Sequence, residues 1–393
     1  MRAKIDGTEI TEICQETRWR PKLSRTSTGV VRFPAPEFVV DLETEAPELA
    51  LYENDGTTLL FAGPVWHTQP DGDPTSMYTE VTAYDHTIDF PRRIAKTATG
   101  NTINPGPVLE ANVTGPAIFE AFIDNVNSYD ATQPDGSAMR VSPGTVAGGG
   151  IDLSALPMSF PMTLDQIRVL LVATGEMDVM LNPGLGASTV DLTNGDGGTD
   201  LTGTVSFEYD TGLNNAWVGS LTVDMDLVVN ALWYFLGPRG PRPGPPKQFG
   251  IPKDHWAGSI TPTAPHVGGT WPAGLLARIA ASRILRGYSQ EFQIFDDEED
   301  EQAIRPLFEA KWAREAWMRA NPQKLATVKP ERGYFPEFRV GDLIHVAAGA
   351  RLNGGFDGDQ RVYEFEVRTD ANGVDEVADL LTSADQEGAP SPS

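Results

Sequence analysis

Two runs decide how this chain is read: Leu59-Leu-Phe-Ala-Gly-Pro-Val-Trp66 and Tyr78-Thr-Glu-Val-Thr-Ala-Tyr-Asp85, with Pro70-Asp-Gly-Asp-Pro74 between them. Each run is apolar or alternating over a strand's length, and the Pro/Gly/Asp cluster is turn chemistry, so the three together predict a hairpin. Working outward, Leu49-Ala-Leu-Tyr-Glu53 and Phe38-Val-Val-Asp-Leu-Glu-Thr44 read as further strands, and Asn54-Asp-Gly56 as the turn ahead of Leu59. Short strands at this spacing predict a small β-barrel over residues 1–98.

The text changes at 99–200, where an α+β middle domain is expected. Thr114 can cap a helix whose Ile118, Phe119, Phe122, Ile123 and Val126 keep helical spacing. Thr163 can cap a second, with Leu164, Ile167, Leu170 and Leu171 on one face, Gly175 as its stop and Met177-Asp-Val-Met-Leu181 as the next strand. Residues 201–237 return to strand text, read as strands rejoining the first barrel. Residues 238–272 hold nine prolines and six glycines, which predicts an extended loop reaching a neighbouring subunit, with Trp256 and Trp271 as anchors. Residues 273–323 read as helix, strand (Gln290 to Phe295) and helix; 324–385 as a C-terminal β-barrel; 386–393 as a disordered tail. The fold class expected is mainly β with an α+β insertion: two small β-barrel domains flank the middle α+β domain, with helices near the C-terminal third.

Composition narrows function by exclusion. Acids outnumber bases 55 to 30, for a formal charge of −25, the reverse of what a chain gripping phosphates needs. Stable nucleic-acid binding and attraction to an anionic membrane are not expected. No window approaches the roughly 18 apolar residues of a membrane span, and Met1-Arg-Ala-Lys lacks a signal peptide's apolar stretch, so no membrane anchor is expected and assembly in a cytoplasm is. The one cysteine, Cys14, excludes an intrachain disulfide and a thiolate metal cluster.

No GxSxG elbow, Walker loop, HExxH helix or CxxC pair occurs in the sequence. The histidines His67, His86, His255, His266 and His345 are scattered; His67 and His86 sit on neighbouring strand text without a third ligand. Asp296-Asp-Glu-Glu-Asp-Glu301 suits a solvated helix start better than a cation site, having no glycine turn. Asn194-Gly-Asp-Gly-Gly-Thr-Asp200 occurs once, which suits a turn better than a calcium-binding repeat. Trp312 and Trp317 suit a core or interface better than a carbohydrate platform. No catalytic, cofactor-binding or metal-ligating residue is named, no cofactor is expected, and the chain is not expected to be an enzyme.

Three stretches resemble the hub proteins of phage tail tips and baseplates. They are Leu59–Trp66 with Thr79-Glu-Val-Thr-Ala-Tyr-Asp85; Thr163 to Leu181; and Phe338-Arg-Val-Gly-Asp-Leu-Ile-His-Val346 with Gln360-Arg-Val-Tyr-Glu-Phe-Glu-Val367. Together they span about half the chain in the family's order. The resemblance implies a homotrimer in the virion at the distal end of the tail, contacting the distal tail protein ring, the tape-measure protein and other tail-tip proteins. Members often carry a peptidase or lysozyme domain after the last barrel; this chain ends about ten residues past its last predicted strand, so that activity is not expected. The rival readings are a tail-associated cell-wall hydrolase and a receptor-binding tip protein.

An internal echo adds symmetry. Phe61-Ala-Gly63 to Val81 spans 18 positions and Phe356-Asp-Gly358 to Val377 spans 19, each closing on a Glu-Val pair. Two barrels of one design are expected, six in a trimer, fit to adapt a six-fold tube to the tip while DNA passes.

Overall fold

The computed structural model describes residues 1–34, 40, 42, 47–71, 77–94, 97–99, 102–104, 114–130, 139–148, 163–173, 177–193, 197–224, 231–238, 256–260, 288–295, 323–349, 355–378 and 380–384. The fold is mainly β with an α+β insertion. The predicted strand at 38–44, the helices within 273–323, Trp271 and the tail at 386–393 lie outside or almost wholly outside the described residues.

A nine-stranded sheet runs Thr8–Glu9, Arg2–Ile5, Glu48–Tyr52, Leu59–Asp71, Tyr78–Tyr84, Thr28–Pro34, Glu16–Arg20, Val367–Asp370 and Asp375–Val377. Leu59–Asp71 changes partners midway: Phe61 opposes Leu51, whereas Thr68 opposes Val81, with a bulge between Val65 and His67. A bulge bends its strand, and here it curves the sheet into a half-barrel. The inner face carries Ala3, Ile5, Val31, Phe33, Leu49, Leu51, Phe61 and Val81. Gly63 is required by close approach, since a Cβ there would lie 1.9 Å from the Tyr84 carbonyl oxygen.

A six-stranded sheet runs Ser206–Tyr209, Leu343–Ala348, Phe356–Glu364, Leu380–Ala384, Gln323–Pro330 and Ala216–Asp224, only the first pair being parallel. Its two edge strands are consecutive in sequence, so the sheet curls to within one turn of a closed barrel. Edge-to-face rings fill it: Trp19 on Phe365 at 5.4 Å, Phe365 on Phe338 at 5.2 Å, Phe338 on Phe207 at 5.9 Å. The middle part packs helices Gly115–Asp130 and Leu164–Ala173 near a sheet of Val141–Val146, Ser188–Thr193 and Asp178–Asn182. Thr163 and Gln166 cap the second helix reciprocally, at 3.2 and 2.9 Å.

Three strand assignments differ from the sequence reading. Ser206–Tyr209 and Ala216–Asp224 do not rejoin the first sheet; they pair with Leu343–Ala348 and Gln323–Pro330. Their buried Phe207 and Ala216 belong to the core with Val328, Phe338 and Val346. Conversely, the strand from Phe356 breaks at Phe365-Glu366, and the hairpin Val367–Asp370/Asp375–Val377 adds to the first sheet alongside Glu16–Arg20. Finally, the 238–272 segment is not all loop. Trp256–Ile260 is a strand antiparallel to Ala231–Pro238, whose other side pairs with Tyr288–Phe295, so backbone groups that a loop would leave to solvent are satisfied within the chain.

Candidate functional site

Among the described residues, the nearest approach to a catalytic constellation joins three residues far apart in sequence. The turn Asn182 to Ser188 leads into the central strand of the middle sheet, and Ser188 meets His86, the first residue of the 3-10 helix His86–Arg92. His86 Nδ1 lies 2.8 Å from Ser188 Oγ and its Nε2 3.1 Å from Glu48 Oε1. Ser188 Oγ also accepts the Gly184 N–H at 3.2 Å, and Glu48, whose carboxylate only accepts, takes the imidazole Nε2–H. Glu48 also takes the Gly186 N–H at 2.9 and 3.1 Å, which returns the network to the same turn. A nucleophilic serine must face a substrate beside oxyanion donors. Here Ser188 is 2% and His86 1% exposed. The geometry pins the middle part onto the first sheet and offers no route for an acyl group.

Beside it, Asp85 caps the 3-10 helix, accepting Thr87 N–H at 2.9 Å and Ser27 N–H at 2.5 Å. Full burial nevertheless holds its carboxyl above the usual range, desolvation outweighing those hydrogen bonds. A second pin joins all three parts. Arg361 of the six-stranded sheet bonds Asp178 of the middle sheet at 2.7 Å, with side chains 6% and 9% exposed. Arg361 also donates to the Gly341 carbonyl at 3.1 Å and to that of Gly197, while Ser24 of the first part donates to Asp178 at 3.1 Å. The Gly-Asp pair seen in sequence serves this junction: Gly341 sits at φ 95°, and Asp342 accepts Thr199 N–H at 2.8 Å and Arg339 N–H at 2.7 Å.

The outer face of the nine-stranded sheet is where charge gathers. Glu80, Arg32, Glu16 and Asp370 lie in register across four strands. Arg18 bonds Glu16 at 2.9 Å and lies 3.7 Å from Glu80; Arg20 bonds Glu364; Arg332 bonds Asp370 at 2.7 Å. A half-open cleft of about 420 Å³ is cut into this face, lined in part by Arg32, Arg332, Arg368 and Val374. In a chain of net charge −25, this face alternates sign.

Of the residues weighed in the sequence, His67 is exposed with its ring 6.2 Å from that of Tyr84, apart from buried His86. His345 lies 3.0 Å from Asp359 and 3.3 Å from Asp357. Burial pushes the Cys14 thiol up to about 11, a Thr17 hydrogen bond opposing and Glu9 adding. Residues 197–200 pack on the Gly341 turn, whereas 296–301, His255, His266, Trp312 and Trp317 lie outside the described residues. Among the described residues no three of His, Cys, Asp and Glu gather as metal ligands, and no helix is long and apolar enough to cross a membrane.

The two strongly curved sheets, locked together through a small α+β part, define a fold found in phage tail proteins. The chain is similar over 98% of its length, and 97% of the other's, to the 43 kDa tail protein of prophage MuSo2 from Shewanella oneidensis, at 12% identity and a TM-score of 0.56. A tail protein from Neisseria meningitidis MC58 matches at 12% identity and TM-score 0.56, covering 100% of this chain and 98% of that one. Prophage tail protein gp18 from Listeria monocytogenes EGD-e matches at 9% and 0.50, covering 99% and 96%. No family model and no curated protein sequence matches the chain.

Proposed function

We propose that the chain is a structural protein of a bacteriophage tail: a tail-tip, or baseplate hub, subunit without catalytic turnover. In this reading three copies form a ring that adapts the six-fold tail tube to the tip and lets DNA pass. Its neighbours are the distal tail protein ring and the tape-measure protein. The observation that carries the reading is the likeness to phage tail proteins, which spans at least 98% of this chain and at least 96% of each of theirs. The acidic balance supports it, because a wall of like charge keeps a moving polyanion from sticking.

Mass photometry of the full chain tests the trimer, and electron microscopy of the virion with this protein labelled tests its place. A trimer and a label on the tail axis at its distal end are expected. A monomer, or a label at the periphery, overturns the hub reading; the latter favours a receptor binder. A lysis band on host cell walls in a zymogram would instead favour the hydrolase.

A further inference from the structure

The α-amino group of Met1 is buried in an ion pair. It donates to Asn54 Oδ1 at 2.8 Å, and to Thr369 Oγ1 and Asp375 Oδ1 at 3.1 Å each. The amine is 0% exposed and the Asp375 side chain 7%. Asp375 is itself fixed in place: its Oδ1 accepts the Thr369 hydroxyl at 2.6 Å and its Oδ2 the Asn54 amide at 3.0 Å. The Met1 side chain is 3% exposed and shares a core with Val367 and Val377. Three segments therefore meet at one nitrogen. They are the strand that pairs Arg2 with Tyr52, the turn holding Asn54, and the hairpin in which Thr369 opposes Asp375, 368 and 374 positions away.

We propose that Asn54, Thr369 and Asp375 form a receptor for a free α-ammonium group, and that hydrolysis of an acyl–nitrogen bond at Met1 must precede docking of the Val367–Asp370/Asp375–Val377 hairpin. The proposal does not depend on the tail reading above. Donors and charge both select against an acylated nitrogen, which carries one N–H and is neutral. One donor cannot serve all three acceptors, and a buried acceptor left unmet costs its full desolvation. A neutral nitrogen also leaves the Asp375 carboxylate buried without a counter-charge, the costly result of breaking such a pair from one side. Among the described residues Met1 is the one ion-pair partner of Asp375. The neighbouring cations Lys329 and Arg332 are engaged elsewhere, with Glu376 and Asp370.

The group that must leave is either the formyl with which bacterial translation starts or the carbonyl of a preceding residue, and the two share one balance. Water adds to the acyl carbon and the C–N bond breaks. The carbon departs as a carboxylate, formate in one case and an upstream chain end in the other, and the nitrogen takes both water protons to become the ammonium. Trimming past Met1 is incompatible with the same geometry, because it removes the amine from its acceptors and the side chain from the core.

Mass spectrometry of the protein purified from the cells that make it should show an unblocked amine on Met1. An acyl group there, residues ahead of Met1, or a start at Arg2 overturns the proposal. Newly made chain, pulse-labelled with peptide deformylase inhibited, should carry either one formyl group or an upstream peptide, which tells the two sources apart. For the structural role, the full chain is made by cell-free translation with its formyl group retained or removed. The formylated chain should exchange the amides of Val367–Asp370 and Asp375–Val377 at least about tenfold faster than the free-amine chain. Asp375→Asn with a free amine should loosen the same hairpin, and the formyl group should add less in that variant than in wild type, because the pair is already broken. Equal exchange with and without the formyl group overturns the proposal, as does a formyl effect undiminished in Asp375→Asn. The mass measurement and the formyl comparison use the unmutated chain, so both stand even if that variant fails to fold.

Discussion

Replacing Asp178 with alanine should destabilise the protein by about 3 kcal/mol, at the low end of the roughly 3–5 found when a buried ion pair loses one partner. The Arg361 guanidinium and the Asp178 carboxylate are 2.7 Å apart with side chains 6% and 9% exposed. At that separation their attraction is about 6 kcal/mol for an effective dielectric constant of about 20. In the intact protein, desolvation of both groups offsets much of it. Truncating Asp178 removes the attraction but leaves Arg361 desolvated. Its hydrogen bonds to the Gly341 and Gly197 carbonyls retain part of its satisfaction, hence the lower figure. Adding Arg361→Met removes the stranded charge, so the double variant should regain at least about 1 kcal/mol over Asp178→Ala alone. Urea unfolding followed by tryptophan fluorescence and far-UV dichroism gives the energies. Amide exchange should place the loss in Asp178–Asn182 and Phe356–Glu364. A single-variant cost below about 1 kcal/mol, or a double variant as unstable as both singles added, would refute the reasoning.

Gly63→Ala would put a methyl 1.9 Å from the Tyr84 carbonyl and should cost more than about 3 kcal/mol or abolish soluble expression, whereas Gly203→Ala, with nothing within 4 Å, should stay within about 0.5; equal melting of the two would sink the close-approach argument. The Cys14 thiol, raised to about 11, lies above its unfolded value of about 8.5, so the unfolded chain ionises first. Its contribution to stability is therefore intact below about pH 8.5 and fades between there and about 11. Iodoacetamide at pH 8 should alkylate it about 100-fold more slowly in native protein than in urea, and similar rates would rule out a shielded thiol. Ser188→Ala strands His86 Nδ1 and the Gly184 N–H, costing about 1–2 kcal/mol by thermal melting; a cell-wall lytic activity that vanished with it would make the pin a catalytic site instead.

Local structure was legible where one segment carries its own instructions. The Leu59–Asp71 and Tyr78–Tyr84 hairpin follows from its alternation and turn, and both helices from apolar spacing, the second also from its Thr163 cap. Ile118, Phe119, Phe122, Ile123 and Val126 are all buried, as their period required. What could not be read is which strand lies beside which. Alternation states that one face is buried, and says nothing of the neighbour. Nor does any local pattern encode the two pins, since His86 and Ser188 are 102 positions apart and Asp178 and Arg361 are 183 apart. The Gly-Asp and Phe-x-Gly phrases were visible, but their cause lies in other strands: the Arg361 bond to the Gly341 carbonyl, and the approach of Tyr84 to Gly63.

The C-terminal hairpin shows how such ambiguity is resolved. Its outward face argues against its position, because Arg368 stands opposite Arg18, and like charges across a ladder repel. Glu366 bonds Arg368 and Glu16 bonds Arg18, which offsets the repulsion. The inward face decides the matter. Val367 opposes Trp19, Thr369 opposes Thr17, and Val367 and Val377 enter the same core as Phe338, Phe365 and Leu380. A slip of one residue would turn Arg368 into that core and Val367 out to water, a change no surface ion pair could compensate. The hairpin therefore belongs to both sheets at once, hydrogen-bonded to the first and packed into the core of the second. That shared ownership, together with the two pins, makes the curved sheets one continuous body.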